Sequence, residues 1–466
     1  MAIARRPRWT SPVGSTLVAL VALASLDATA STAGAATGST ASGPARTGAS
    51  RSDSAASRAA ESRSPAPEAS GPGGQQATFE AVIRQITALP YQAAYVPQGY
   101  DSAFPAGTVL NDLPAEDYTS GSIPGGPDSP VYPPLFHEVL LHSADGASFY
   151  AEVALQPGRR PGIEVVPGFN THSDQSVVRW AAMLAANGYD VIAADQRDFA
   201  AEYDAGYGYP SYPQTFGWKE SQDVVAAGRY LATQQGVGPL GIVGFSEGGQ
   251  DSILAMADAP GLYAAGLTFS GPADQDTQIY STAEPAGCQT PACSYPATDA
   301  LVALVVPPYS DSDVCTALSE AATYYGTTGF DILARESAFH AQTSIGVPLL
   351  NFYSEDDSLV PPFEASMMAG YEAGAPLQRT MLLAHGEHAY FFDRWWQQTA
   401  ILDYFKALLP GARSAADITA QATVNQTPGG APLSDQLVSL GEPDRAEADS
   451  YLAPYVCDTA EGTPGA

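Results

Sequence analysis

From Phe136 to Leu409, short apolar runs alternate with segments of helical period, and this alternation is what most limits the folds open to the chain. Gly162–Val166, Tyr189–Ala194, Leu240–Val243, Ala264–Ser270, Val347–Tyr353 and Arg379–Leu383 read as strands. Ser176–Asn187, Ser221–Thr233, Gln250–Ala257, Phe363–Gly370 and Phe391–Leu408 read as the helices between and after them. A strand that is apolar along its whole length is covered on both faces, and a helix after each strand returns the chain for a parallel neighbour. The expected fold class is therefore α/β, a mostly parallel, doubly wound sheet. It opens on an antiparallel hairpin, Phe136–His142 and Ala147–Leu155 around Ser143-Ala144-Asp145-Gly146. The stretch from Ser270 to Val347 holds no sheet-strand run and is too long for a plain loop. It is expected to be an inserted helical cap, over about 272–345, lying over one edge of the sheet.

The flanks read differently. Arg5, Arg6 and Arg8 precede an apolar stretch from Val13 to Leu26 and then Ala28-Thr29-Ala30, the order of an export signal over residues 1–30. That stretch is short for a bilayer span. Pro7 and Arg8 after the arginine pair favour the general secretory route over the twin-arginine one. Residues 31–76, rich in Ala, Ser and Gly, are expected to be a disordered linker. An N-terminal arm follows over 77–135, with Phe79, Val82, Ile83, Ile86 and Leu89 at helical spacing. Residues 412–466 read as a C-terminal tail. Four cysteines, Cys288, Cys293, Cys315 and Cys457, suit an exported protein with two disulfides, with Cys288–Cys293 and Cys315–Cys457 preferred among the three pairings.

The charge narrows the partners. Net charge is -30, and residues 1–76 contribute +3, so the remainder carries -33 with only Lys219 and Lys406 as lysines. Such a field repels phosphate backbones and anionic lipid, which speaks against nucleic-acid binding and against stable membrane insertion.

The chemistry centres on Gly244-Phe245-Ser246-Glu247-Gly248. In a chain with 44 Gly the pentapeptide says little by itself. Its setting says more, since Leu240–Val243 gives a strand before it and Gly248-Gly249-Gln250 opens a helix after it. A sharp strand-to-helix turn presents a serine hydroxyl where a substrate can reach it. That hydroxyl needs a base, expected late in the chain, and an acid between the two. Of six histidines, His385 and His388 follow the last expected strand. His388 is preferred because Gly386 frees the loop before it. His137 and His142 lie in the hairpin and His340 in the cap, while His172 follows the loop after Gly162–Val166. For the acid, Asp357 is preferred over Asp356 on its spacing to Val360-Pro361. The oxyanion donors are expected to be the backbone amides of Glu247 and of Phe169, the latter in Pro167-Gly168-Phe169-Asn170. This chemistry needs no metal and no organic cofactor.

On these residues the segment from about Phe136 to Leu409 resembles the α/β-hydrolase superfamily, in its secreted serine esterase, lipase and peptidase-like branch. Tyr189–Arg197 is similar to the strand that in this family ends in an Asp and an Arg, with Asp198 where a Gly is usual. The resemblance implies mostly structural roles for Asp195 and Arg197. It implies a carboxylic ester hydrolase working through Ser246, Asp357 and His388 on a small-molecule ester or acyl substrate. A peptidase or an acyltransferase of the same fold is an alternative, and a binding protein that has lost catalysis is another. Leu301–Val306 and Tyr203–Tyr212 are candidate substrate contacts, with plain packing an equal reading for both.

Overall fold

The computed structural model describes residues 72–91, 136–169, 177–197, 212–278, 311–357, 359–386, 388, 395–409, 411 and 431–452. The expected leader, Cys288, Cys293, Cys457, His172, Asp198, Leu301–Val306 and 203–211 lie outside these residues.

Nine strands form one sheet: β1 (His137–His142), β2 (Ser148–Ala154), β3 (Arg160–Val166), β4 (Asp190–Ala194), β5 (Val237–Phe245), β6 (Tyr263–Phe269), β7 (Leu349–Ser354), β8 (Gln378–Leu383) and β9 (Leu437–Val438). Their order is β1-β2-β4-β3-β5-β6-β7-β8-β9. From β4 to β8 every pair is parallel, while β1, β2 and β9 join antiparallel at the two edges. The mixed, mostly parallel sheet expected from the sequence is thus present.

The helices cover both faces. On one lie α1 (Pro72–Thr87), α2 (Val178–Ala186) and α9 (Trp395–Leu408). They bury Phe79, Trp180, Trp396 and Phe405 against Ile163, Val165, Val243 and Phe269 of the sheet. On the other lie α3 (Glu220–Thr233), α4 (Glu247–Asp258) and α8 (Phe363–Gly370), against Ile192, Ile242 and Tyr353. Alternate residues of a strand serve opposite cores, as the two-residue period requires. One row of rings runs through the first core: Trp180, Phe245, Phe269, Phe352 and Trp396, with successive centroids 5.4, 5.4, 5.2 and 5.5 Å apart. Phe245 is the residue before Ser246, so this row backs the turn that presents the serine.

The described part of the β6–β7 crossover is helical: α5 (Asp311–Tyr325), α6 (Gly329–Leu333) and α7 (Ala338–Ala341). Leu318, Ala321, Ala322, Ile332 and Leu333 of this insertion pack with Phe216, Phe169 and Trp218. Phe169 follows β3, and Phe216 and Trp218 lie between β4 and α3. The described part of the insertion therefore packs on loops leaving the carboxyl ends of the strands.

Several expected boundaries move. Helix α1 begins at Pro72, inside the residues read as linker; proline suits the first helical position because its missing N–H has no partner there anyway. Helix α4 begins at Glu247 rather than at Gln250. The segment read as tail is, over 431–452, part of the domain. β9 pairs with β8 through Leu382–Val438 and Leu383–Leu437, Leu433 N–H donates to Leu89 O at 2.7 Å, and α10 (Arg445–Ser450) packs on α8. Among the described residues no helix is long and apolar enough to cross a membrane.

Candidate active site

Ser246 sits between β5 and α4 with φ 55° and ψ -132°, a backbone state that costs an L-residue about 1–3 kcal/mol. The close approach of neighbouring chain enforces it. A Cβ on Gly244 would stand 2.0 Å from Gly248 O, and one on Gly248 would stand 2.0 Å from Pro167 O. Glycine at these two positions is therefore a steric requirement of the turn. Ser246 N–H donates to Phe269 O at 2.8 Å, which fixes the turn to β6.

The other two residues come from the ends of later strands. β7 ends at Ser354, and Asp357 follows in a tight turn in which its Oδ1 accepts from Leu359 N–H at 2.8 Å and Val360 N–H at 2.9 Å. The spacing to Val360 that distinguished Asp357 in the sequence is thus a pair of hydrogen bonds orienting its carboxylate. His388 lies beyond β8. Its Nδ1 is 2.9 Å from Asp357 Oδ1 and 3.1 Å from Oδ2, and its Nε2 is 2.9 Å from Ser246 Oγ. The Asp357 side chain is fully buried and that of His388 is 11% exposed, so the contact is sheltered from water. With the proton on Nδ1 donated to Asp357, Nε2 is free to accept from the serine hydroxyl.

Asp356 does something else. Its Oδ1 accepts from Gly386 N–H at 2.7 Å and from Ser354 Oγ, and its Oδ2 lies 3.4 Å from His385 Nδ1. It ties the histidine loop to the end of β7. His385 is exposed; so are His137, His142 and His340. The two remaining site candidates flank the serine. Glu247 is the first residue of α4, and the Gly248 contact brings the Pro167 backbone, two residues before Phe169, against that helix start. Phe169 stacks on Phe216 with centroids 6.1 Å apart. Both expected oxyanion residues therefore lie on segments that meet beside Ser246.

Arg197, after β4, is buried and bridges Asp223 and Asp145, each at 2.7 Å. Burial and then this guanidinium act in opposite senses on Asp223, leaving its carboxyl pushed up to about 6. Arg197 joins the β1–β2 turn to α3, the structural part its sequence context implied.

Sequence reasoning missed several supports. Tyr91, far away in the chain, donates its hydroxyl to His385 O at 2.6 Å, and Ala384 N–H donates to Gln436 O at 2.8 Å. The loop carrying His388 is held from both ends of the domain. Only the apolar spacing ahead of Tyr91 hinted that its segment was ordered. Among the described residues no group of three or more His, Cys, Asp or Glu could hold a metal ion.

No family model matches the sequence, and no curated protein does. Solved structures do resemble the fold. The Pyrococcus furiosus esterase Pf2001 aligns with TM-score 0.42 and 16% identity over 58% of this chain and 91% of its own. The Pyrococcus horikoshii acylaminoacyl peptidase aligns with TM-score 0.42 and 16% identity over 61% of this chain and 44% of its own, so less than half of that enzyme is matched. Est1E from Butyrivibrio proteoclasticus aligns with TM-score 0.39 and 17% identity over 57% of this chain and 95% of its own. The assignment of fold rests on the chain itself. A strained serine turn between a central parallel strand and its helix, with an acid after β7 and a histidine after β8, marks this sheet as an α/β-hydrolase fold.

Proposed function

We propose that the protein is a secreted serine hydrolase that cleaves a carboxylic ester through a Ser246–His388–Asp357 triad. The observation that carries this reading is the unbroken chain of contacts from Asp357 Oδ1 through His388 to Ser246 Oγ, each step 2.9 Å. In the proposed reaction Ser246 Oγ attacks the ester carbonyl carbon as its proton passes to His388 Nε2. Asp357 holds the imidazole in the tautomer that accepts, and stabilises the imidazolium once formed. The negative oxygen of the tetrahedral intermediate accepts from the Glu247 and Phe169 amides. Its collapse breaks the bond to the alkoxy group, which takes the proton from His388 and leaves as alcohol. Water then attacks the acyl-enzyme by the same route, releasing acid and restoring Ser246. Each step balances without a metal or organic cofactor.

The secreted location rests on the leader and on the cysteine count, and two disulfides are part of the proposal. A panel of acyl esters of rising chain length beside aminoacyl anilides tests the ester assignment. The proposal expects faster turnover of esters; preferential cleavage of the anilides would replace it with the peptidase reading.

A further inference from the structure

Close to Ser246 lies a group of carboxyl side chains that the proposed reaction does not use. Glu336, in the cap between α6 and α7, is fully buried, and neither of its carboxyl oxygens has a hydrogen-bond partner among the described residues. Four other acids bear on it electrostatically: Glu220 at the head of α3, Glu247 and Asp251 on α4, and Asp274 after β6. All four are at most 4% exposed. Glu220 accepts from Thr215 N–H, Thr215 Oγ1 and Gly217 N–H. Asp251 accepts from Gln196 Nε2, and Asp274 from Thr277 N–H and Ser337 Oγ. The cations on adjoining residues, Lys219 and Arg335, lie against the Trp218 ring at 4.4 and 4.3 Å.

Ionised together, a buried carboxylate and four buried acids in its neighbourhood would be costly. A cation or protons must balance them. The absence of any convergent ligand set among the described residues argues for protons. Glu336 is the natural holder of one, because no described residue donates to either of its carboxyl oxygens. Burial first, then the negative neighbours, push its carboxyl well above the usual carboxylate range.

The same short segment seats the cap on the serine turn. Gln250 Nε2, one helical turn beyond Ser246, donates to Glu336 O at 2.8 Å. Ser337 Oγ donates to Asp274 Oδ2 at 2.5 Å, and Phe339 N–H to Ala273 O at 3.2 Å. A charge appearing on Glu336 would therefore act on the contact that joins cap to nucleophile helix.

We propose that Glu336 is a positioning residue whose bound proton keeps the inner segment of the cap seated on α4, so that loss of the proton unseats the segment and slows acyl transfer at Ser246. This rests on the serine hydrolase reading for its kinetic part only. The test follows hydrogen exchange of residues 330–341, melting temperature and kcat/KM on a short-chain ester between about pH 6 and about pH 9. In the wild type, exchange should quicken and melting temperature and kcat/KM should fall over the alkaline part of this range. E336Q carries a permanently neutral side chain with donors facing the acids. It should move the alkaline fall in all three by about one pH unit or more. Superimposable alkaline behaviour of wild type and E336Q would overturn the proposal. If E336Q does not fold, wild-type exchange at 330–341 that is insensitive to pH, once corrected for intrinsic exchange, overturns it alone. A rise in wild-type melting temperature with millimolar Ca2+ at about pH 8, lost in E336Q, would also overturn it, by making a cation the balancing charge. Exchange and melting do not depend on the reaction at Ser246. Absence of ester turnover with the exchange result intact would therefore sink the hydrolase reading and leave the role of Glu336 in seating the cap.

Discussion

Around Ser246 the backbone is the limiting resource. The serine holds φ 55°, and the chain on either side passes so close that Gly244 and Gly248 have no room for a methyl group. In G248A the new methyl would collide with Pro167 O, and relief requires moving the loop that leads to Phe169. An ester assay should show kcat/KM lower by about 10²-fold or more, since small displacements of oxyanion donors and nucleophile weaken the transition state far more than the ground state. D357N leaves the side-chain shape intact but offers His388 an amide where it needs a carboxylate. Its kcat should fall by about 10³–10⁴-fold in steady-state kinetics, with the fold preserved by circular dichroism. The candidate triad was legible because Ser246, Asp357 and His388 each lie in the turn or loop after a strand that the apolar pattern reveals. Asp356 and Asp357 needed the structure to separate their jobs, one tying the histidine loop and the other facing the imidazole. Tyr91 was not legible as a support. Its hydrogen bond to His385 O joins residues 294 apart in sequence, and no local period records such a meeting.

The elements place that chemistry by packing. The row of rings from Trp180 to Trp396 crosses β5, β6 and β7 and fills one core behind the serine turn. Phe269 lies in its middle with no exposure. F269A should cost about 3–5 kcal/mol in chemical denaturation, the usual range for emptying a large buried aromatic site. At this scale the sequence read well wherever a strand was a full apolar run. It read poorly at β9, because two residues, Leu437 and Val438, make no periodic pattern and are recruited by the free edge of β8. The consequence reaches the site. Gln436 O accepts the amide of Ala384, just ahead of His385. Truncation after residue 430 should lower both melting temperature and kcat, whereas removal of a dangling tail would change neither.

For the whole molecule, acidity is the dominant fact. The net charge is -30, and several carboxyls are buried as well. Burial pushes Glu164, Glu336 and Glu364 well above the usual carboxylate range, and Asp223 up to about 6. Groups raised in this way bind more protons folded than unfolded. The stability they contribute is fully present below the unfolded-state carboxylate pKa and is lost as pH rises through the folded values. Growing self-repulsion of the anionic chain acts in the same direction. Calorimetric melting temperature should therefore be higher near about pH 5 than near about pH 8, and the difference should shrink in D223N. The claim that matters most is that Ser246 is a nucleophile activated by His388. Intact-mass and peptide-level detection of a fluorophosphonate adduct tests it most directly. One adduct per chain is expected, mapped to Ser246, absent in S246A and slowed by at least about 10²-fold in H388A. A folded protein that takes no label, or that labels equally in all three forms, would contradict it.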